Sequence, residues 1–150
     1  MKEAQNAKYV LLTPPQLKDD GDLASNTYVD TSGWGYVEFI IATGTVDAAL
    51  GSTAEGNAVK IEECDTTGGS YTDVTDAALA DAIADDEDDS LFKIDVDLVD
   101  KTHKRYMQVN APHAGDGANG VNAAIIARLS KPLQGPTTAT ERGLVENIIA

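Results

Sequence analysis

WGYVEFIIAT, residues 34–43, decides how this chain is read. Side chains on a strand alternate, so Val37, Phe39 and Ile41 share one face while Tyr36, Glu38, Ile40 and Ala42 share the other. β-branched and aromatic residues fill the run, and Ser32-Gly33 before it and Thr43-Gly44 after it are turn signals. A helix would have to absorb Gly35 and would present no polar stripe. The stretch is expected to be a central strand, with one face fully buried and the other mostly buried.

Working back from it, residues 23–30 read as a strand, with Leu23, Ser25, Thr27 and Val29 on one side, after a turn over 18–22. Residues 1–7 are polar. Residues 9–12 form a short edge strand that Pro14-Pro15 should stop, because proline cannot donate to a ladder.

Working forward, residues 44–57 are a loop. Residues 58–64 and 71–75 alternate on either side of a glycine-containing turn, which is a hairpin pattern. Residues 76–84 are the one expected helix of the body, with Ala77, Ala78, Leu79, Ala82 and Ile83 at helical spacing and Asp76 as its N-cap. Five consecutive acids, Asp85 to Asp89, oppose the macrodipole there and should end it. Strands are expected again at 91–99, 104–110 and 121–129. The inner face of the last is Val121, Ala123, Ile125, Ala127 and Leu129. Short strands separated by turn clusters, with a single brief helix, predict an all-β sandwich or barrel.

The predicted organisation is one domain: an N-terminal arm and edge strand over 1–18, a β-sandwich over 19–132, and a C-terminal tail over 133–150. In the tail, Thr140 is placed to cap a short amphipathic helix with Leu144, Val145, Ile148 and Ile149 on one face. Those residues need a surface, on their own domain or on a neighbour, and the sequence leaves both open. A chain of 150 residues buries about 68–70% of its unfolded surface, enough for a core without disulfide or metal support.

Charge excludes some partners. Against 25 Asp and Glu stand 11 Lys and Arg, a net charge of −14. Phosphate backbones and anionic membranes need a positive field, so neither nucleic acid nor membrane is an expected partner. Cys64 is the single cysteine, so no disulfide forms within the chain. No run is long and apolar enough for a membrane span or a signal-peptide core, and assembly in the cytoplasm is the expectation.

The motifs that resemble chemistry have plainer readings. Gly115-Asp116-Gly117-Ala118-Asn119-Gly120 matches G-x-G-x-x-G, but a strand pattern follows it where a dinucleotide site needs a helix. The acid run lacks the glycine and the glutamate at the positions an EF-hand requires. His103 and His113 have no zinc spacing with Cys64. Asp95 and Asp97 share an outward face without opposed environments. No serine or cysteine nucleophile has a recognisable context. The expectation is a non-enzyme without catalytic residue, metal or cofactor. A glycan-binding sandwich needs exposed aromatic platforms, and Trp34, opening the central strand, reads as a core or inter-sheet residue instead.

The order of features from residue 23 to about 136 resembles a family of small tailed-bacteriophage virion proteins, the capsid decoration (cement, auxiliary head) proteins. The likeness rests on the hairpin Glu62-Glu63-Cys64-Asp65 with Gly69-Ser70-Tyr71-Thr72-Asp73-Val74, on the strand start Lys104-Arg105-Tyr106, and on the exit Arg128 to Lys131-Pro132. The acidic stretch 85–89 and the long tail depart from it. The resemblance implies a jelly-roll-like antiparallel β-sandwich on the exterior of an icosahedral capsid in the virion. Its partners would be the major capsid protein and itself, as a homotrimer, and its role would be to stabilise the shell. Exposed apolar chain ends then nominate Tyr9, Leu11 and Leu12 in the arm, with Leu144, Val145, Ile148 and Ile149 in the tail, as contact residues. Another virion component, a tail or neck subunit, and a glycan-binding module are the alternatives.

Overall fold

The computed structural model describes residues 6–23, 27–52, 57–132 and 140–145. Among them are eight strands and no helix: β1 (Lys8–Lys18), β2 (Val29–Asp30), β3 (Trp34–Val46), β4 (Lys60–Cys64), β5 (Thr72–Ala78), β6 (Leu91–Asp97), β7 (Tyr106–Asn110) and β8 (Val121–Pro132). They make two four-stranded sheets, ordered β1-β8-β3-β6 and β2-β7-β4-β5. Every pairing is antiparallel.

The pairings have a simple generator. β1 lies on β8, β2 on β7, β3 on β6 and β4 on β5. That is one long antiparallel ribbon with the β4–β5 hairpin at its tip. Folding the ribbon across itself brings β8 beside β3 and β7 beside β4, and each sheet becomes four strands wide.

Alternation dictates what lies between the sheets. Val37, Phe39 and Ile41 of β3 are fully buried, and so are Val121, Ile125, Ala127 and Leu129 of β8. Ile61, Met107 and Val109 of the second sheet join them in a single core cluster. Trp34 is half-buried and packs against that core. The opposite face of β3, from Tyr36 to Ala42, is half-buried.

Several expectations are corrected. Pro14-Pro15 do not stop the first strand, because β1 runs through them to Lys18. Its pairing with β8 shifts register between Leu11 and Thr13 and again between Thr13 and Gln16. An edge strand with a bulge is where a missing N–H is tolerated. The strand expected over 23–30 is confined to Val29–Asp30 among the described residues, with Leu23 a buried anchor whose N–H reaches the Ala111 carbonyl.

No helix forms over 76–84. β5 continues to Ala78, Ala77 enters the core, and Ile83 exchanges backbone hydrogen bonds with Leu50. Helical propensity is a weak preference that burial of Val74, Ala77 and Ile83 overrides. The cost falls on local geometry. Two steps along β4, from Lys60 to Glu62, face five along β5, from Ala78 to Asp73, and Asp76 takes a φ of 62° inside that bulge. The tail helix is also absent from the described residues: 140–143 is a turn closed by the Gly143 N–H on the Thr140 carbonyl.

Each sheet edge is modified against stray pairing. β1 carries prolines and bulges, β2 has two residues, β5 is bulged, and β6 alternates Lys93, Asp95 and Asp97 outward.

Candidate interaction surface

Register places residues from four strands side by side on the outer face of the first sheet. Leu11, Ile126, Ile40 and Lys93 form one row. Next to it, Ala124, Ala42 and Leu91 form a second. Ile126, Ile40, Ala124 and Ala42 are half-buried, while Leu11 is 52% and Leu91 75% exposed at the two ends. The result is an apolar band crossing the sheet from β1 to β6. A solvated antiparallel sheet normally turns polar side chains outward here, and a contiguous apolar patch with a polar rim marks an interaction surface.

The rim is the neighbouring row, Tyr9, Arg128, Glu38 and Asp95. Arg128 Nη1 donates to Glu38 Oε2, and Lys93 Nζ donates to Glu38 Oε1 at 3.3 Å while lying 3.0 Å from Asp95 Oδ2. Burial pushes the Glu38 carboxyl up, but the hydrogen bonds and charge of Arg128, joined by Lys93, outweigh it and hold the group below its ordinary value. Two acids and two bases cancel. On a chain of net charge −14 this face is locally neutral, which lowers the desolvation penalty of covering it.

The two ends of the described chain meet at one edge of the same sheet. The Tyr9 N–H donates to the Arg142 carbonyl at 2.7 Å, and Arg142 is buried. Segment 140–143 therefore packs on its own domain. Of the nominated contacts, Tyr9 and Leu144 are half-buried, Leu11 is exposed and Val145 is fully exposed. Leu12 is corrected: it is fully buried in the core and offers no surface in this fold. Ile148 and Ile149 lie outside the described residues. Sequence reasoning did not nominate Ile40, Ile126 or Leu91 for this face; the second apolar face of 34–43 signalled Ile40, and only register brings Ile126 and Leu91 beside it.

The other motifs resolve structurally. Gly115-to-Gly120 is a turn in which Asp116 Oδ1 accepts the N–H groups of Ala118 and Asn119 at 2.9 and 2.7 Å, and β8 follows. The acidic run is tied to β3, since Asp88 Oδ1 accepts the Val46 N–H at 2.6 Å and the Glu87 carbonyl accepts from Thr43 Oγ1 at 3.0 Å. Among the described residues no group of three or more His, Cys, Asp and Glu gathers to hold a metal ion. On the second sheet Tyr28 and Tyr106 meet edge to face at 5.1 Å, and Arg105 stacks over Tyr106. Tyr28 is exposed and Tyr106 half-buried. No protein-family model matches the chain, and no curated protein or solved structure matches it either.

Proposed function

We propose that this protein is a virion structural protein that decorates and stabilises the outside of an icosahedral phage capsid, as a homotrimer on the major capsid protein. The observation that carries the reading is the apolar band from Leu11 to Leu91, neutral in its rim and four strands wide. Adhesion to a lattice needs no deep site; a modest patch repeated in many copies gains from multivalency. The high net acidity keeps free copies apart in solution.

We read the fold as a jelly roll. Its support is the ribbon of pairs β1·β8, β2·β7, β3·β6 and β4·β5 wrapped into two facing sheets. Eight strands in such a double sheet are common in capsid and lectin domains. That likeness of architecture is an analogy and adds nothing about the partner by itself.

The test is occupancy on shells. Purified protein is mixed with mature capsids of the corresponding phage that lack it, and bound copies are counted after sedimentation. Wild type should saturate the shells and raise their resistance to heat; Ile40→Asp with Ile126→Asp should keep the monomer fold and fail to bind. No binding by wild type, or equal binding by the double variant, overturns the reading.

A further inference from the structure

The apolar band has relief. On the outer face of β8, Ile126, Ala124 and Asn122 follow one another, as Ile40, Ala42 and Gly44 do on β3. Register sets Leu11 beside Ile126 and Leu17 beside Asn122. The small side chains of Ala124 and Ala42, paired across the strands, are therefore the floor of a trough. Leu11, Ile126 and Ile40 wall one side, and Leu17, 62% exposed, stands with Asn122 on the other. Leu91 continues the floor row onto β6. The walls are four residues apart along β8, about 13–14 Å, and the four strands span about 14 Å from β1 to β6.

These dimensions select an occupant. The trough crosses β8 and β3, which are paired on both sides and have no backbone groups to offer. An extended segment laid there would bury its own N–H and C=O groups without partners. A flat sheet would rest on the walls and leave the floor uncovered. A helix satisfies its own backbone, and its diameter of about 10–12 Å fits between the walls. The trough covers roughly 200 Å², well short of the ~800 Å² per partner of a stable pair, so it does not by itself hold a second copy of this chain.

Charge adds a direction. The rim along one wall carries Arg128 on β8, Glu38 on β3 and Asp95 on β6, with Lys93 reaching both acids. Two acids and one base leave a negative charge over β3 and β6, and Arg128 leaves a positive one over β8. The face is neutral in sum but polarised along the trough. A helix with its N-terminus over β6 and its C-terminus toward β1 complements that polarity through its macrodipole.

We infer that the trough receives one amphipathic helix of the shell protein, about three turns long, with its N-terminal end at β6. The assignment rests on the docking of this face proposed above and names the partner's element on it.

The experiment is photo-cross-linking on shells. A diazirine analogue of leucine replaces Leu11, Ile126, Ile40 or Leu91, singly, and each protein is bound to mature capsids that lack it, irradiated and mapped by mass spectrometry. One strand spacing of about 4.8 Å equals about three residues of helix, but only one to two of extended chain. The cross-linked residues should fall in a single segment of the shell protein, advance by about three to four per strand crossed, and rise in number from Leu91 to Leu11. Ala42→Leu adds apolar surface yet fills the floor, and should lower shell affinity by about fivefold or more while melting like wild type. Steps of one or two residues, contacts scattered over separate segments, the reverse order, or undiminished binding by Ala42→Leu each overturn the helix and leave the docking standing. Wild type that binds shells while none of the four positions cross-links to them overturns the docking face and the helix together.

Discussion

The Tyr9 N–H and the Arg142 carbonyl, 2.7 Å apart, join the two ends of the described chain at the open edge of β1. Gly143 makes the approach feasible. Its φ is +74°, and a Cβ there would stand 1.7 Å from the Tyr9 carbonyl oxygen, against backbone that has no flexible end to move. Gly143→Ala should therefore unseat the segment. Hydrogen exchange at the Tyr9 amide should accelerate by about tenfold or more, while the interior amides of Val37 and Ile125 keep their protection. Unchanged Tyr9 exchange would show that the contact does not hold the segment.

Phe39 and Ile40 are neighbours with opposite roles. Phe39 is fully buried between the sheets, and Ile40 is half-buried on the outer band. Phe39→Ala should cost about 3–5 kcal/mol, since the removed ring leaves a cavity in a close-packed core. Ile40→Thr retains the β-branch and should cost less than about 1 kcal/mol. Urea denaturation measures both. The proposed function expects the reverse order on shells: Ile40 variants fold and fail to bind.

Much of this was legible because alternation is a strong local signal. The two faces of 34–43, the hairpin of β4 and β5, and the inner row of Val121 to Leu129 are all readable from a period of two. Sheet order was not, since nothing local states that β8 lies between β1 and β3. Two local rules also misled. Pro14-Pro15 signal an ending only where every N–H is needed, and β1 is an edge. Alanine spacing over 76–84 suggested a helix, but Ala77 and Ile83 gain more by entering the core from extended chain. The interaction band was half-visible: Ile40 and Ala42 could be placed on a second face, but Leu11, Ile126 and Leu91 join them only through register.

Glu38 should give stability a specific pH dependence. Its carboxyl, held by Arg128 and Lys93, titrates below the ordinary value of 4.5. A depressed folded value means the contribution is complete above pH 4.5 and is lost as pH falls through the folded value. Glu38→Gln should cost about 1–2 kcal/mol at pH 7, mostly through the partly buried Arg128, because Lys93 is half exposed and contributes little. The gap between wild type and variant should shrink below pH 4.5 and close in stronger acid. Thermal melts from pH 7 to pH 2.5 read it; a gap independent of pH would assign the cost to packing instead of charge.

Asp76 carries a strained backbone at the β5 bulge. It sits in the β5 bulge at a φ of 62°, a left-handed conformation that costs an L-residue roughly 1–2 kcal/mol and glycine almost nothing. Asp76→Gly should therefore leave stability unchanged or raise it by up to about 1 kcal/mol, net of the entropy glycine gains when unfolded. Asp76→Val, β-branched in the same conformation, should lower it by about 1–2 kcal/mol. A glycine variant that melts no lower would show that the backbone conformation, and not the side chain, sets the cost at this position. A glycine variant that melts clearly lower would instead mean that the exposed contact with Lys101 outweighs the backbone strain.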